Sequence, residues 1–351
     1  MSQLTQPKIL VFGSETCFSS AAAIRALRAR NADAVYLDFS IFDSRTASVH
    51  VETRDDQLVA IFMDDAHNIY VDTSKVEAVY ARQAGLKRPA WRDEPNMFNV
   101  TEVDGVSRYE REQNVAFCSN VLGLLAAQAF FLFPRITSGL WGKKQRQLLL
   151  ASELGFRTPN TYTGNDIEEM RVFARAQPEF ISKPMIPQVL HHEQHSFRTY
   201  TSLCSLEDLE AINDCKFPVT LQEAFVEKTD IRVGIIGEQV LATAIHLDGR
   251  EEGDPIVDFR HFWERDLFSE RQIVRPEGHV LPKEVEHRCR EFVRRCGLQY
   301  SMMDLLLLES GEYVFLENNT HGMYAEVESG GHDVMGAVAE LLMNPTERML
   351  R

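Results

Sequence analysis

Two carboxylates near the C-terminus, Asp304 and Glu317, stand inside strand-like apolar runs, SMMDLLLLE and EYVFLENN. The runs flank Ser310-Gly311, residue types that favour a tight turn, so they read as a hairpin. With Ser310-Gly311 as a two-residue turn, residue 309 faces 312 and Asp304 lies opposite Glu317. Asn319, two residues beyond Glu317, shares that face. Opposed carboxylates on such a ladder stand about 4.5–5.5 Å apart at Cβ. Like charges among Met, Leu, Val and Phe destabilise the ladder, and desolvation adds to the cost. A shared proton or a cation removes the conflict. Two carboxylates and an amide oxygen make a hard, oxygen-only set suited to magnesium. The bland alternative is one acid solvated at a sheet edge, and a register slip by one residue would part the two faces. Glycoside hydrolysis needs a wider carboxylate pair than this ladder allows.

Cations come next. Lys183 sits in the strand-like FISKP, and a lysine there needs a negative partner. Arg232 sits in DIRV, Arg260 follows Asp258-Phe259 in a loop, and Lys143 and Lys144 begin a helix against its dipole. Each alone reads as ion-paired or solvated. Beside a magnesium site they suggest a polyphosphate held by Lys, Arg and metal. No GxxxxGK[ST] is present, and Gly13-Ser14 reads as a plain tight turn rather than GxGxxG, so neither motif would hold a nucleotide. The stretch with His191, His192, Glu193 and His195 lacks one residue of HExxH, so a zinc-protease reading fails. It reads as a mobile polar lid. A weaker reading has its imidazoles approach phosphate or substrate on closure.

The chain has 351 residues, 44% hydrophobic and 25% charged. That composition excludes disordered, collagen-like and coiled-coil classes, and the length suits two or three domains. Asp and Glu outnumber Lys and Arg 52 to 37, for a formal net charge of −15. So acidic a surface repels nucleic acid and anionic membranes, and neither is an expected partner. No apolar run is long enough for a membrane helix. The opening MSQLTQPKILVFG lacks a secretory pattern and reads as a cytoplasmic start. Cys17, Cys118, Cys204, Cys215, Cys289 and Cys296 show no CxxC spacing and read as thiols in the interior.

Several elements must position these groups. KILVFG, a helix over Ala21–Arg30 and a strand over Ala34–Phe39 form a β-α-β opening. QLVAIFMDDAHNIYVD reads as a hairpin turning near Asp65–Asn68, VEAVYAR as a strand, 83–108 as loop, and about Glu110 to Leu132 as a long helix. Then follow the helix KKQRQLLLASELG with Gly155 past its end, the strand EFISKPM, and a short helix after a Ser205 N-cap. PVTLQEAFV, DIRVGIIG and EQVLATAIHL read as strands, and 249–280 as charged loop. KEVEHRCREFVRRCG reads as an amphipathic helix before the final hairpin, and Val334–Met343 as a C-terminal helix.

In order and rough spacing, Lys144, Lys183-Pro184, Gln222-Glu223, Asp230-Ile231-Arg232-Val233, Asp258-Phe259-Arg260, Asp304 and Glu317-x-Asn319 resemble the ATP-grasp ligases. Within them the chain is most similar to the microviridin-type (graspetide) peptide ligases, relatives of the ligases that add glutamate to a ribosomal protein. VEAVYAR resembles the strand of that family's pre-ATP-grasp domain, and KQRQLLLASELGFRTPNT its "lGf-x-x-P-x-T" lead into the central domain. The resemblance implies an α/β (α+β) ATP-grasp fold in three parts. These are a pre-ATP-grasp α/β domain over 1–135, a small central α+β domain over 136–226, and an antiparallel-sheet domain with the metal site over 227–351.

It implies that Lys144 and Lys183 contact ATP phosphates. The strand Gln222-Glu223-Ala224-Phe225 would read adenine through backbone groups, with Asp230 near the nucleotide. Arg260 would hold phosphates, Arg232 would stabilise the transferred phosphoryl and the acyl phosphate, and Asp304, Glu317 and Asn319 would ligate two magnesium ions. A carboxylate would take the γ-phosphoryl of ATP and a nucleophile would displace phosphate, leaving ADP and an amide or ester. The implied substrate is a ribosomally made precursor peptide, crosslinked through its side chains. Homodimers are common in that family, so a second copy is an expected partner. Where the family tends to read Glu-apolar-Asn-Pro-x-Gly-Gln, this chain has Glu317-Asn318-Asn319-Thr320-His321-Gly322-Met323, so the acceptor pocket differs. A ligase for small amino acids or dipeptides is the alternative, and an inactive nucleotide-binding scaffold the alternative of another class. On the ligase reading, Asp304→Asn and Glu317→Gln abolish ADP formation, and relief of like-charge repulsion raises the stability of the ion-free protein.

Overall fold

The computed structural model describes residues 7–14, 17–42, 47–82, 105–132, 143–185, 189–192, 195–198, 201–212, 215, 217–248, 259, 262, 273–320 and 322–345. The β-α-β opening is present as β1 (Ile9–Gly13), α1 (Phe18–Ala29) and β2 (Ala34–Asp38), with the strands parallel. Every residue of β1 is buried, the pattern of a strand covered on both faces. Between β2 and the rest of its sheet comes an antiparallel trio, β3 (Ala47–Arg54), β4 (Gln57–Asp64) and β5 (Ile69–Asp72). The expected β4–β5 hairpin turns as read, while β3, over SVHVETR, is an addition to the sequence reading.

The parallel sheet is completed by β6 (Ala78–Tyr80) and β7 (Phe130–Phe131), in the order β2-β1-β6-β7. The long helix, α2 (Gly105–Gln128), begins inside the stretch 83–108 read as loop, and ends earlier than expected because the chain turns at once into β7. It covers one face through Val121, Leu122 and Leu125, and α1 covers the other through Ala23, Ile24 and Leu27.

The central region begins with α3 (Lys144–Glu153), which stops at Gly155 in the left-handed region, φ +83°. Glycine reaches that conformation without the Cβ clash other residues meet. Then follow β8 (Thr161–Gly164), α4 (Ile167–Arg175) and β9 (Phe180–Lys183). The polar stretch read as a lid is a two-stranded antiparallel hairpin, β10 (Val189–His192) and β11 (His195–Arg198), with His192 opposite His195. Glu193 lies outside the described residues. β12 (Ser202–Cys204), α5 (Leu206–Glu210) and β13 (Val219–Glu223) complete the region. Ser205 caps α5 in a reciprocal box with Asp208, which satisfies backbone donors that a helix start leaves open. The sheet runs β12-β9-β13-β8, all antiparallel. Met170, Ala174 and Leu209 of α4 and α5 pack on Phe180 and Leu221. By alternation, Ile181, Lys183 and Gln222 occupy the opposite face.

The last sheet is five antiparallel strands in the order β16-β15-β14-β17-β18. They are β14 (Lys228–Ile236), β15 (Gln239–Leu247), β16 (Val274–His279), β17 (Tyr300–Leu308) and β18 (Tyr313–Asn319). β16 corrects the reading of 249–280 as loop throughout. Its VRPEGH carries charges and Pro276, which an edge strand tolerates and a central one does not. α6 (Lys283–Arg295) and α3 cover one face, with Phe292 stacked on Phe315 at 5.0 Å between ring centroids. Such a ring pair is worth about 0.5–1.5 kcal/mol beyond its buried area.

After the short α7 (Ala325–Ser329), helix α8 (Val334–Met343) is apolar nearly all round and packs on α1. One core cluster therefore joins Ile9, Ala23 and Leu27 to Met302, Val338 and Leu342. The first sheet's cover is supplied in part by the end of the chain. All six cysteines are free, with Cys118 and Cys289 buried and the others half-buried. No described helix is long and apolar enough to cross a membrane.

Candidate active site

The β17–β18 hairpin sets Asp304 opposite Glu317, as expected, but by a different route. The turn has three residues, Glu309-Ser310-Gly311. Leu308 N–H donates to Glu312 O at 3.0 Å, and Gly311 takes φ +83°. A regular ladder from that turn pairs Leu305 with Phe315 and would next bring Leu316 opposite Asp304. The register instead shifts between Asp304 and Leu305, so that Asp304 pairs with Glu317 and Met302 with Asn319. Leu316 is thus the extra residue of a bulge. Without it this turn would send Glu317 to the helix-covered face.

Around the pair the protein supplies its own cations. Arg232 faces Asp304 across the β14–β17 ladder, and its Nη1 donates to Asp304 Oδ1. The Nζ atoms of Lys144 and Lys183 stand 3.3 and 3.5 Å from Glu317 Oε2. Asn319 Nδ2 bridges the two acids, 3.1 Å from Asp304 Oδ2 and 3.2 Å from Glu317 Oε1. The protein's own Arg232, Lys144, Lys183 and Asn319 thus offset the like-charge conflict. Arg232 and Glu317 are only 6% and 7% exposed, so these pairs are barely screened.

The donor set still fits a divalent ion. Two carboxylates converge with an amide, and half a turn of that amide would present its oxygen where the nitrogen now bridges. Among the described residues no three of His, Cys, Asp or Glu converge in this way. The hard-oxygen chemistry of Asp304, Glu317 and Asn319 suits magnesium better than zinc.

The pair forms the floor of a cleft between the two antiparallel sheets. The cleft encloses about 950 Å³, counting its open mouth. Ile181, Lys183 and Gln222 line it from the central sheet. Asp230, Arg232, Leu306, Leu316 and Glu317 line it from the other. Ala224, Phe225 and Val226, which join the sheets, form its back, and Phe259 closes against it. Asp230 is ion-paired to Lys228 two residues before it on the same strand face.

Arg157 fastens the connection between the sheets. It reaches Glu223 at 2.9 Å and Glu312 at 2.8 Å, and its guanidinium lies 5.0 Å from the Phe225 ring centroid. The Glu312 carboxylate, then Glu223, hold the guanidinium above its ordinary pKa. The backbone joins in: Glu223 N–H donates to Asn160 O at 2.9 Å, and Ala224 N–H to Glu179 O at 3.0 Å. The segment that resembles "lGf-x-x-P-x-T" is therefore the brace of this connection.

Beyond the floor, Arg232 Nη2 donates to Met323 O at 3.2 Å. Arg82 Nη2 and Tyr300 OH donate to Gly322 O at 3.0 and 3.1 Å. Burial pushes the Tyr300 hydroxyl's pKa up, so it stays a donor.

Six sequence-derived candidates thus meet at one point: Lys144, Lys183, Arg232, Asp304, Glu317 and Asn319. Gln222, Glu223, Ala224, Phe225 and Asp230 line the cleft above them. Arg260 lies outside the described residues, as does Asp258. Sequence reading missed Arg157, Lys228, Arg82 and Gln147. Arg157, Gln147 and Arg82 stand inside quoted stretches, KQRQLLLASELGFRTPNT and VEAVYAR, but only by position, and Lys228 stands in none.

No family model matches the chain, and no curated protein matches it in sequence. Solved structures do match. A RiPP-associated ATP-grasp ligase of Chryseobacterium gregarium, in complex with ADP and a leader and core peptide, superposes at TM-score 0.78, with 17% identity over 98% of both chains. The chain has the ATP-grasp fold. The macrocyclase MdnC of Microcystis aeruginosa, bound with precursor peptide MdnA, superposes at TM-score 0.71, with 24% identity over 96% of this chain and 99% of that one. The ATP-grasp ligase PsnB, complexed with minimal precursor, Mg and ADP, does so at TM-score 0.71, with 22% identity over all of both chains. At these identities the likeness is one of fold. The cleft is the space between that fold's two antiparallel sheets.

Proposed function

We propose that this chain is an ATP- and magnesium-dependent ligase that activates a carboxylate as an acyl phosphate and joins it to an amine or hydroxyl of a precursor peptide. The observation that carries the reading is the convergence of Lys144, Lys183 and Arg232 on the Asp304–Glu317–Asn319 set. It lies at the foot of a cleft in a fold of which one solved member holds ADP with a leader and core peptide and another holds minimal precursor, Mg and ADP. Bound magnesium, two ions on this reading, supplies charge neutralisation for the transferring phosphoryl group. With the carboxylates so engaged, Lys144 and Lys183 would turn to phosphate oxygens, Arg232 would face the transferred phosphoryl group, and no protein nucleophile is needed.

Glu223 and Ala224 N–H are already engaged, so on this reading a backbone N–H donor to adenine comes from Phe225 or Val226. The domain limits 1–135, 136–226 and 227–351, a cytoplasmic location, a homodimer and Arg260 as a phosphate ligand belong to the same reading.

The test is mass measurement after incubation with ATP, magnesium and a short peptide rich in Thr, Ser or Lys and Asp or Glu, encoded beside this chain's gene. Each crosslink removes one water. Constant peptide mass while a free amino acid is consumed and ADP appears would transfer the assignment to a small-molecule ligase. A smaller effect tests the brace. Arg157→Met keeps an aliphatic stem on Phe225 and deletes both ion pairs. It is expected to raise the ADP dissociation constant about five- to tenfold, as two charge-assisted contacts shared with solvent allow. An unchanged constant by calorimetry would make Arg157 irrelevant to the cleft.

A further inference from the structure

Gln147 lies one helical turn after Lys144 on α3 and is 3% exposed. Its side chain treats β18 as a neighbouring strand would. Nε2 donates to Asn318 O at 3.0 Å, and Asn318 N–H donates to Oε1 at 2.9 Å. Asn318 stands between Glu317 and Asn319, whose side chains face the cleft while its own bonds Ser301 on the far side.

The outer edge of β18 offers one more backbone bond, Phe315 N–H to Arg157 O at 2.9 Å. In a regular strand, outward-bonding residues fall two apart, so after Phe315 the next would be Glu317. Here it is Asn318, three residues on, because Leu316 is the bulge. In an unbulged register the N–H and C=O of Asn318 would point at β17 and could not meet Gln147. The same amide joins α3, which carries Lys144, to the strand that carries the acidic ligands.

We infer that Gln147 is a positioning residue that locks the bulged register of β18, holding Glu317 and Asn319 toward the ion and fixing Lys144 relative to them. The inference rests on the magnesium-nucleotide reading of the cleft. A buried amide of this kind orients ligands as outer-shell partners do at metal sites, where their loss costs about 10- to 100-fold in affinity.

The experiment titrates ADP binding against magnesium by calorimetry for the wild type, Gln147→Leu and Gln147→Glu. Leu removes both bonds. Glu keeps the acceptor for Asn318 N–H and sets a second oxygen against Asn318 O. Both variants are expected to raise the magnesium midpoint about tenfold or more, Leu more than Glu. Affinity for magnesium-free ADP should change less than about twofold, a split that general destabilisation would not give. Hydrogen exchange at the Asn318 amide should quicken in Gln147→Leu while that of Val233, in mid-sheet, does not. If Gln147→Leu fails to fold, Gln147→Glu carries the test through the same midpoint. An unmoved midpoint in a folded variant, against a wild type that binds, overturns the lock alone. A wild type that takes up no magnesium-ADP overturns the ligase reading and the lock with it.

Discussion

Asp304→Asn and Glu317→Gln are each expected to abolish ADP formation, a loss of about three orders of magnitude or more. Each removes one of the two charges that the cleft offers a divalent ion, and neither amide replaces a carboxylate as a hard anionic ligand. Unchanged turnover in either variant would remove the ion from this floor.

The two variants also decide a question of stability on which sequence and structure differ. Opposed carboxylates taken alone predict that neutralising one stabilises the ion-free protein. The structure reverses that sign. Asp304 is ion-paired with Arg232, and Glu317 with Lys144 and Lys183. Deleting the charge of Asp304 leaves the buried Arg232 guanidinium with an amide in place of its counter-ion. The expected cost is about 2–3 kcal/mol, because charge-assisted hydrogen bonds and buried pairs lose that order when one partner is removed. Glu317→Gln should cost less, since its ion pairs are longer, 3.3 and 3.5 Å, and Lys144, 27% exposed at its side chain, can turn to water, although Lys183 at 11% cannot. Urea unfolding without nucleotide or magnesium measures both. A midpoint that rises would mean that repulsion between the acids outweighs their pairing.

The Asp304–Glu317 juxtaposition was legible because alternation along a strand is strict, yet two errors of opposite sign were hidden in it. The turn has one residue more than Ser310-Gly311 suggests, and Leu316 adds one to the strand. Nothing in the type of Leu316 marks a bulge, since an apolar residue suits either face of a buried strand. Lys183 and Arg232 were legible as charges amid apolar neighbours, which must find partners. Which partners they find was not, because a sequence does not state the distance between α3, β9 and β18. Gln147 was illegible for the same reason. A glutamine on a helix normally faces water, and only the packed structure shows a strand edge waiting for an amide. β16 was lost because Pro and charge argue against a strand unless it is known to lie at an edge. The all-round apolar α8 announced burial but not that its partner would be α1, at the other end of the chain.

Arg232→Lys is the second large effect. Arg232 is held by two different bonds at once, Nη1 to Asp304 and Nη2 to Met323 O at 3.2 Å. A planar fork spans a carboxylate on its own sheet and the Met323 carbonyl beyond β18. The ammonium of lysine is a single point on a flexible stem and meets one of these partners, not both. Charge is conserved, so a purely electrostatic role would leave turnover nearly intact. A positioning-plus-fork role predicts a fall in kcat of about 10²–10³-fold, the scale for losing one preorganised donor at a developing negative charge. The ADP dissociation constant should move much less, since Lys144 and Lys183 still face the phosphates on this reading. Equal losses in kcat and in ground-state nucleotide affinity would assign Arg232 to binding alone. Near-normal activity would make it an ion pair that holds β14 to β17 and nothing more.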